Sequence, residues 1–193
     1  QITLVARFLK HVGAFPKYDT FMEEFGNIAP FLIKAKDAQD ERCAAMAEDF
    51  KDTDYHMVIG SGMLWGEAYD YAMCILEEMQ WKRTRYITSA DFFHGTLELV
   101  EPGVPVFLFM GEDENRKLDE RVRAFLTRGV TGDTDINIID TAEFAIPGLD
   151  DEFRVIVSPW ILTVLVTDRL ARYYETVTKH NLNYRRYYHQ FDY

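Results

Sequence analysis

The sequence predicts an α/β protein, a three-layer α-β-α sandwich around a five-stranded parallel sheet. Short apolar runs bounded by glycine, proline or polar turns alternate with segments of helical period. The runs lack an in–out alternation, as expected of strands covered by helices on both faces. The chain has 193 residues, 48% of them hydrophobic, which is enough for one sizeable domain with a core.

Residues 2 to 12 predict a helix, with Leu4, Val5, Phe8, Leu9 and Val12 on one face. Gly13 and Pro16 break it. A long helical stretch runs from Tyr18 to Phe50, with Pro30 as its break or kink. Tyr55 to Gly60 reads as a buried strand, Gly60-Ser61-Gly62 as a turn, and Trp65 to Trp81 as a helix. In that helix Trp65, Ala68, Ala72, Ile75, Leu76 and Met79 recur at helical spacing and define the core face. Arg85 to Ser89 is the next strand, and Val104 to Met110 a strongly apolar one. Arg116 to Arg128 reads as a helix ended by Gly129 and Gly132, before a strand from Asp135 to Asp140. Phe153 to Ser158 is an apolar run that suits either a strand or a connection. Pro159, favoured in a first helical turn, starts a last helix to about Lys179. The tail from His180 is rich in aromatics, so it is expected to pack over a cleft or a neighbouring subunit.

The formal net charge of -11 argues against general affinity for nucleic acid or anionic membranes. The two cysteines, Cys43 and Cys74, form no metal or disulfide pattern, which suits a reducing cytoplasm. No apolar run approaches the ~20 residues of a membrane span.

Candidate chemistry concentrates between Glu78 and Gly95. Glu77 points away from the helix's core face, whereas Glu78 lies on its flank beside Tyr71 and Trp81. Glu78 is either a partly desolvated base or a rim carboxylate paired with Lys82 or Arg83. The helix-strand-loop order is expected to bring Glu78 and His94 to one cleft as base and acid. Strand, glycine turn and helix around Gly60 to Gly62 form the layout of a ligand cradle. It reads as a sugar-facing turn rather than a phosphate site, with Ser61 and Gly62 as substrate contacts. Arg185 or Arg186 faces an anionic substrate or pairs with a carboxylate. His180 contacts substrate or closes the last helix. His56 reads as a core histidine, and Asp113 and Glu114 as solvated loop charges.

Three segments together resemble a known family. They are Glu78-Met79-Gln80-Trp81, then Phe92-Phe93-His94-Gly95 with Glu98 following, and His180 with Arg185-Arg186-Tyr187 and the closing Asp192-Tyr193. They are similar to the second half of double sugar isomerase (SIS) proteins. The nearest branch is the fructosamine 6-phosphate deglycases; the isomerase domain of glucosamine-fructose-6-phosphate aminotransferase is more distant. The resemblance implies a lead-in over 1–50 from a missing first SIS domain, an SIS domain over 51–178 and an ordered tail over 179–193. The chain's start at Gln1, in a helical pattern already under way, suits that division. By the same likeness the protein is a homodimer or higher homo-oligomer whose sites are shared between domains and subunits. Its substrate is a small phosphosugar, Glu78 the general base, and His94 the general acid or ring-opening group. No metal or other cofactor is implied, because each step is a proton transfer. An aldose-ketose phosphosugar isomerase would keep the same pair, and a non-catalytic regulator only the pocket. The chain departs from the family at Thr96, where many relatives have proline, at Gln190, where many have lysine, and at Tyr71, where the aminotransferase pattern has a second glutamate.

Overall fold

Four helices lead into the sheet: α1 (Ile2–His11), α2 (Tyr18–Phe25), α3 (Ala29–Ala38) and α4 (Asp40–Phe50). They belong to a computed structural model that describes residues 1–129 and 136–192. The long helical stretch is broken just before Pro30, near the expected position, and again at Gln39. Gly26 follows α2, and Pro30 sits in the first turn of α3, where its missing N–H leaves no bond unmade. The face of α1 read from its periodicity is turned outward in part: Leu4 and Phe8 are 72% and 63% exposed, and Ala6 is buried.

The sheet is formed by β1 (Tyr55–Gly60), β2 (Arg83–Ile87), β3 (Val106–Met110) and β4 (Ile136–Asp140). All pairs are parallel and the order is β2-β1-β3-β4. Successive residues feed two cores. Val58, Phe107 and Phe109 face one helical layer, while Met57, Ile59, Val106 and Leu108 face the other with Phe92, Val122 and Leu126. At β1 and β3 both faces are covered, which is why these two runs carry no polar alternation. Strand β2 starts two residues earlier than expected. Lys82 is buried, its ammonium donates to the carbonyls of Lys51 and Thr53, and the Arg83 N–H donates to Asp54 O at 2.8 Å. The strand is thereby tied to the start of β1. Asp135, placed in the last strand by the sequence, lies outside the described residues.

The described residues hold four strands where five were expected. Helix α5 (Trp65–Tyr69) follows β1 and α6 (Arg116–Leu126) follows β3, and the run Phe153 to Ser158 lies inside α7 (Asp151–Leu162). Asp150 caps this helix by accepting from the Glu152 N–H, and Phe153, Val157 and Ile161 are buried at four-residue spacing. Pro159 is therefore interior, not initial. It cannot donate to the carbonyl of Val155, and the Ser158 hydroxyl donates there instead at 3.1 Å. The helical path widens over Thr163–Leu170 and ends as α8 (Ala171–Thr178), closed by Lys179 at φ 56°. On β4 the carbonyl of Ile138 accepts from Arg42 of α4 at 2.7 Å. No helix among the described residues is long and apolar enough to cross a membrane.

Candidate active site

The helix after β1 begins as α5 (Trp65–Tyr69) and continues in a wider coil over Asp70–Met79. It carries the chain from the carboxyl edge of the sheet back to the amino edge, where β2 starts. Glu78 therefore sits at the amino edge. His94 lies beyond the other end of β2, at the carboxyl edge. The strand alone separates these edges by about 15 Å, at ~3.3 Å per residue. One chain does not bring Glu78 and His94 into one cleft, so the expected intrachain pairing is corrected.

At the amino edge Glu78 lines a groove of about 400 Å³ with Glu77, Trp81, Lys82 and the tail residues Arg185 to Tyr188. The wider winding rotates Glu77 toward the same groove, where it accepts from the Thr84 hydroxyl. The partner of Glu78 is neither Lys82 nor Arg83. Arg185 reaches back from the tail and places Nε 3.0 Å from Glu78 Oε1. Its Nη1 also donates to the carbonyls of Leu182 and Tyr184, at 2.7 and 2.8 Å. Tyr71, expected beside Glu78, is instead fully buried against Phe107 and Phe109.

Trp81 forms the wall of this groove. It adopts φ 60°, a left-handed conformation that a bulky side chain rarely takes. The Arg186 guanidinium lies over its ring at 4.2 Å, and His180 meets it edge-on at 4.4 Å. His180 Nε2 is buried without a hydrogen-bond partner among the described residues, and Lys179 rather than His180 closes the last helix. The tail packs over the groove through these contacts, and Tyr184, Tyr187 and Phe191 remain 56%, 66% and 58% exposed in the single chain.

At the carboxyl edge Ser61 and Gly62 are used internally. Ser61 Oγ accepts from the Ser89 N–H at 2.8 Å. The Ser89 hydroxyl donates to buried Asp119 at 2.5 Å, and the Gly111 N–H donates to the other Asp119 oxygen at 3.3 Å. Burial pushes the Asp119 carboxyl up to about 6, against the pull of the Ser89 and Gly111 hydrogen bonds. Gly62 has φ 56°, and a Cβ there would meet Asp113 Oδ2 at 2.0 Å. That close approach lets Asp113 accept from the Met63 N–H at 2.7 Å, so Asp113 is a turn cap and not a solvated loop charge. Asp113 thus caps the turn beside Gly62, and the Ser61 hydroxyl oxygen is engaged by Ser89.

His94 is exposed on the loop after β2. Phe92 is buried, and Phe93 packs on Phe125 with Arg121 at 4.0 Å over its ring. These two aromatics anchor the loop and leave the histidine outward. His56 is the core histidine expected: it is buried and bonded to the Tyr174 hydroxyl at 2.8 Å, and burial lowers its imidazole to about 3. Sequence reasoning overlooked Asp119 and the structural use of Trp81. Asp119 stands three residues before Val122 and seven before Leu126, a helical spacing that places it on their buried face; its charge hid that signal.

No family model matches the chain. Over 174 residues it is 27% identical to the fructosamine deglycase of Bacillus subtilis, spanning 89% of this chain and 51% of that protein. Over 133 residues it is 32% identical to the fructoselysine 6-phosphate deglycase of Escherichia coli K12, spanning 67% of this chain and 36% of the relative. The chain thus spans about half or less of these relatives' length. A crystal structure of a candidate phosphosugar isomerase from Salmonella typhimurium superposes with a TM-score of 0.89 at 28% identity, over 98% of this chain and 57% of that one.

Proposed function

We propose, from the premise that the chain is a sugar isomerase (SIS) domain homologous to the fructosamine and fructoselysine 6-phosphate deglycases, that it is the acid-base half of such an enzyme. The substrate is a 1-amino-1-deoxy ketose 6-phosphate. The observation that carries this reading is Glu78 at the mouth of an aromatic-walled groove, oriented by Arg185.

The chemistry follows from a positioned carboxylate. Glu78 takes a proton from C1 of the ketose; the electron pair forms the C1–C2 double bond as the C2 carbonyl π bond breaks and its oxygen takes up a proton, giving an enolamine. Return of a proton to C2, with loss of the N–H proton, leaves an imine at C1. Water adds to that imine and the C–N bond breaks, giving glucose 6-phosphate and the free amine or amino acid. His94 supplies the acid that opens the ring and polarises the ketose oxygen. Since β2 separates the two residues, the His94 that completes a site comes from a second copy. Its exposure on an anchored loop supports that arrangement.

On this reading 1–50 is a helical lead-in, 51–178 the SIS domain and 179–193 the tail that walls the groove. The free cysteines Cys43 and Cys74 suit a reducing cytoplasm. The test is glucose 6-phosphate release from fructoselysine 6-phosphate by the full-length protein. Release that is lost in Glu78→Gln supports the deglycase. Interconversion of aldose and ketose phosphates without amine release would favour a simple isomerase. Binding without turnover would favour a regulator.

A further inference from the structure

We propose that Arg186 is the oxyanion receptor of the groove, holding a phosphate or carboxylate of the ligand on the face of Trp81. This rests on the reading of the groove as the substrate site, and it names a residue that the family resemblance does not assign.

Three cations line the groove, and two are already occupied. Lys82 is buried and donates to the carbonyls of Lys51 and Thr53. Arg185 is bound to Glu78 and to two tail carbonyls. Arg186 pairs with no carboxylate among the described residues, and its one close partner is the Trp81 ring at 4.2 Å. The guanidinium carbon lies over the ring, and among the described residues its N–H donors make no hydrogen bond. Those donors form the planar fork that grips carboxylate or phosphate. Trp81 is itself fixed, at φ 60° with the edge of His180 at 4.4 Å, so the stacked guanidinium has a rigid support.

The other edge of the sheet strengthens the assignment. There the strand-end turns are filled by the carboxylates of Asp113 and Asp119, which hold the donors an anion would use. Among the described residues Arg186, in the amino-edge groove, has no such carboxylate against it. Arg186 follows directly on Arg185, which touches Glu78, so the receptor lies within one small-molecule length of the proposed base.

The test is calorimetric titration of full-length wild type and Arg186→Gln with glucose 6-phosphate, glucose, lysine and cadaverine. Circular dichroism checks that the exposed substitution leaves the fold intact. Loss of affinity for glucose 6-phosphate by about 10- to 100-fold, with glucose unchanged, assigns the phosphate. A like loss for lysine, with cadaverine unchanged, assigns the amino-acid carboxylate. Unchanged affinity for both anions, or no binding of either by wild type, overturns the proposal. Turnover of fructoselysine 6-phosphate is measured in parallel. Wild-type turnover with no effect of Arg186→Gln on binding or KM would reject the receptor and keep the deglycase. Loss of anion binding without any wild-type turnover would do the reverse.

Discussion

Arg185 and Glu78 are joined across 107 positions of sequence by a contact of 3.0 Å, and that contact closes the tail onto the end of the helix before β2. It holds one Glu78 oxygen and leaves the carboxylate on the groove. Arg185→Gln is expected to lower kcat/KM while shifting stability by less than ~1 kcal/mol, because the glutamate side chain is 41% exposed and water screens the pair. Thermal unfolding and steady-state kinetics of the same variant check both parts.

Glu78→Gln removes the base and little volume. Turnover should fall by about 10²- to 10⁴-fold, with product affinity changed far less. Measuring kcat beside the calorimetric affinity for glucose 6-phosphate separates these. Comparable losses in both would show that Glu78 serves binding rather than proton transfer.

Gly62 allows Asp113 to approach the turn after β1. Gly62→Ala places a side chain at φ 56° and against Asp113 Oδ2. A stability loss of about 2 kcal/mol or more is expected in denaturant unfolding. A loss under half of that would mean that the turn rearranges freely.

Two buried groups give stability a pH dependence of opposite sign. Asp119 has its folded value raised to about 6, so its ionisation is penalised above that pH and the penalty is relieved as pH falls toward the ordinary 3.8. His56 is lowered to about 3, so the unfolded chain gains a proton below the ordinary 6.5 while the native one stays neutral, and stability is lost on acidification. In wild type these effects oppose one another between pH 6 and 4. Asp119→Asn removes the first. Its unfolding free energy should fall more steeply than that of wild type as pH drops from 6.5 to 4.5, and parallel curves would contradict the assignment.

Much of this was legible in the residues. β1 and β3 announce themselves as apolar runs because both faces are covered, and Glu78, Trp81 and the tail arginines were marked by composition and spacing. Phe153 to Ser158 misled because a run of six residues broken only by Arg154 is too short to fix a period; the Asp150 cap and the four-residue burial rhythm reveal a helix. The widened coil over Asp70–Met79 shifted the phase that had set Glu77 apart from Glu78. The separation of Glu78 from His94 follows from strand polarity: a helix preceding a parallel strand ends at the strand's amino end, and the loop after it lies at the other.

That separation points to the most direct test, a mixing experiment between Glu78→Gln and His94→Gln of the full-length protein. Each variant alone should be nearly inactive in releasing glucose 6-phosphate from fructoselysine 6-phosphate. Subunit exchange between them should restore about a quarter of wild-type activity in a randomly mixed dimer, since half the dimers then carry one intact site. No recovery after demonstrated exchange would contradict a site built from Glu78 of one copy and His94 of another.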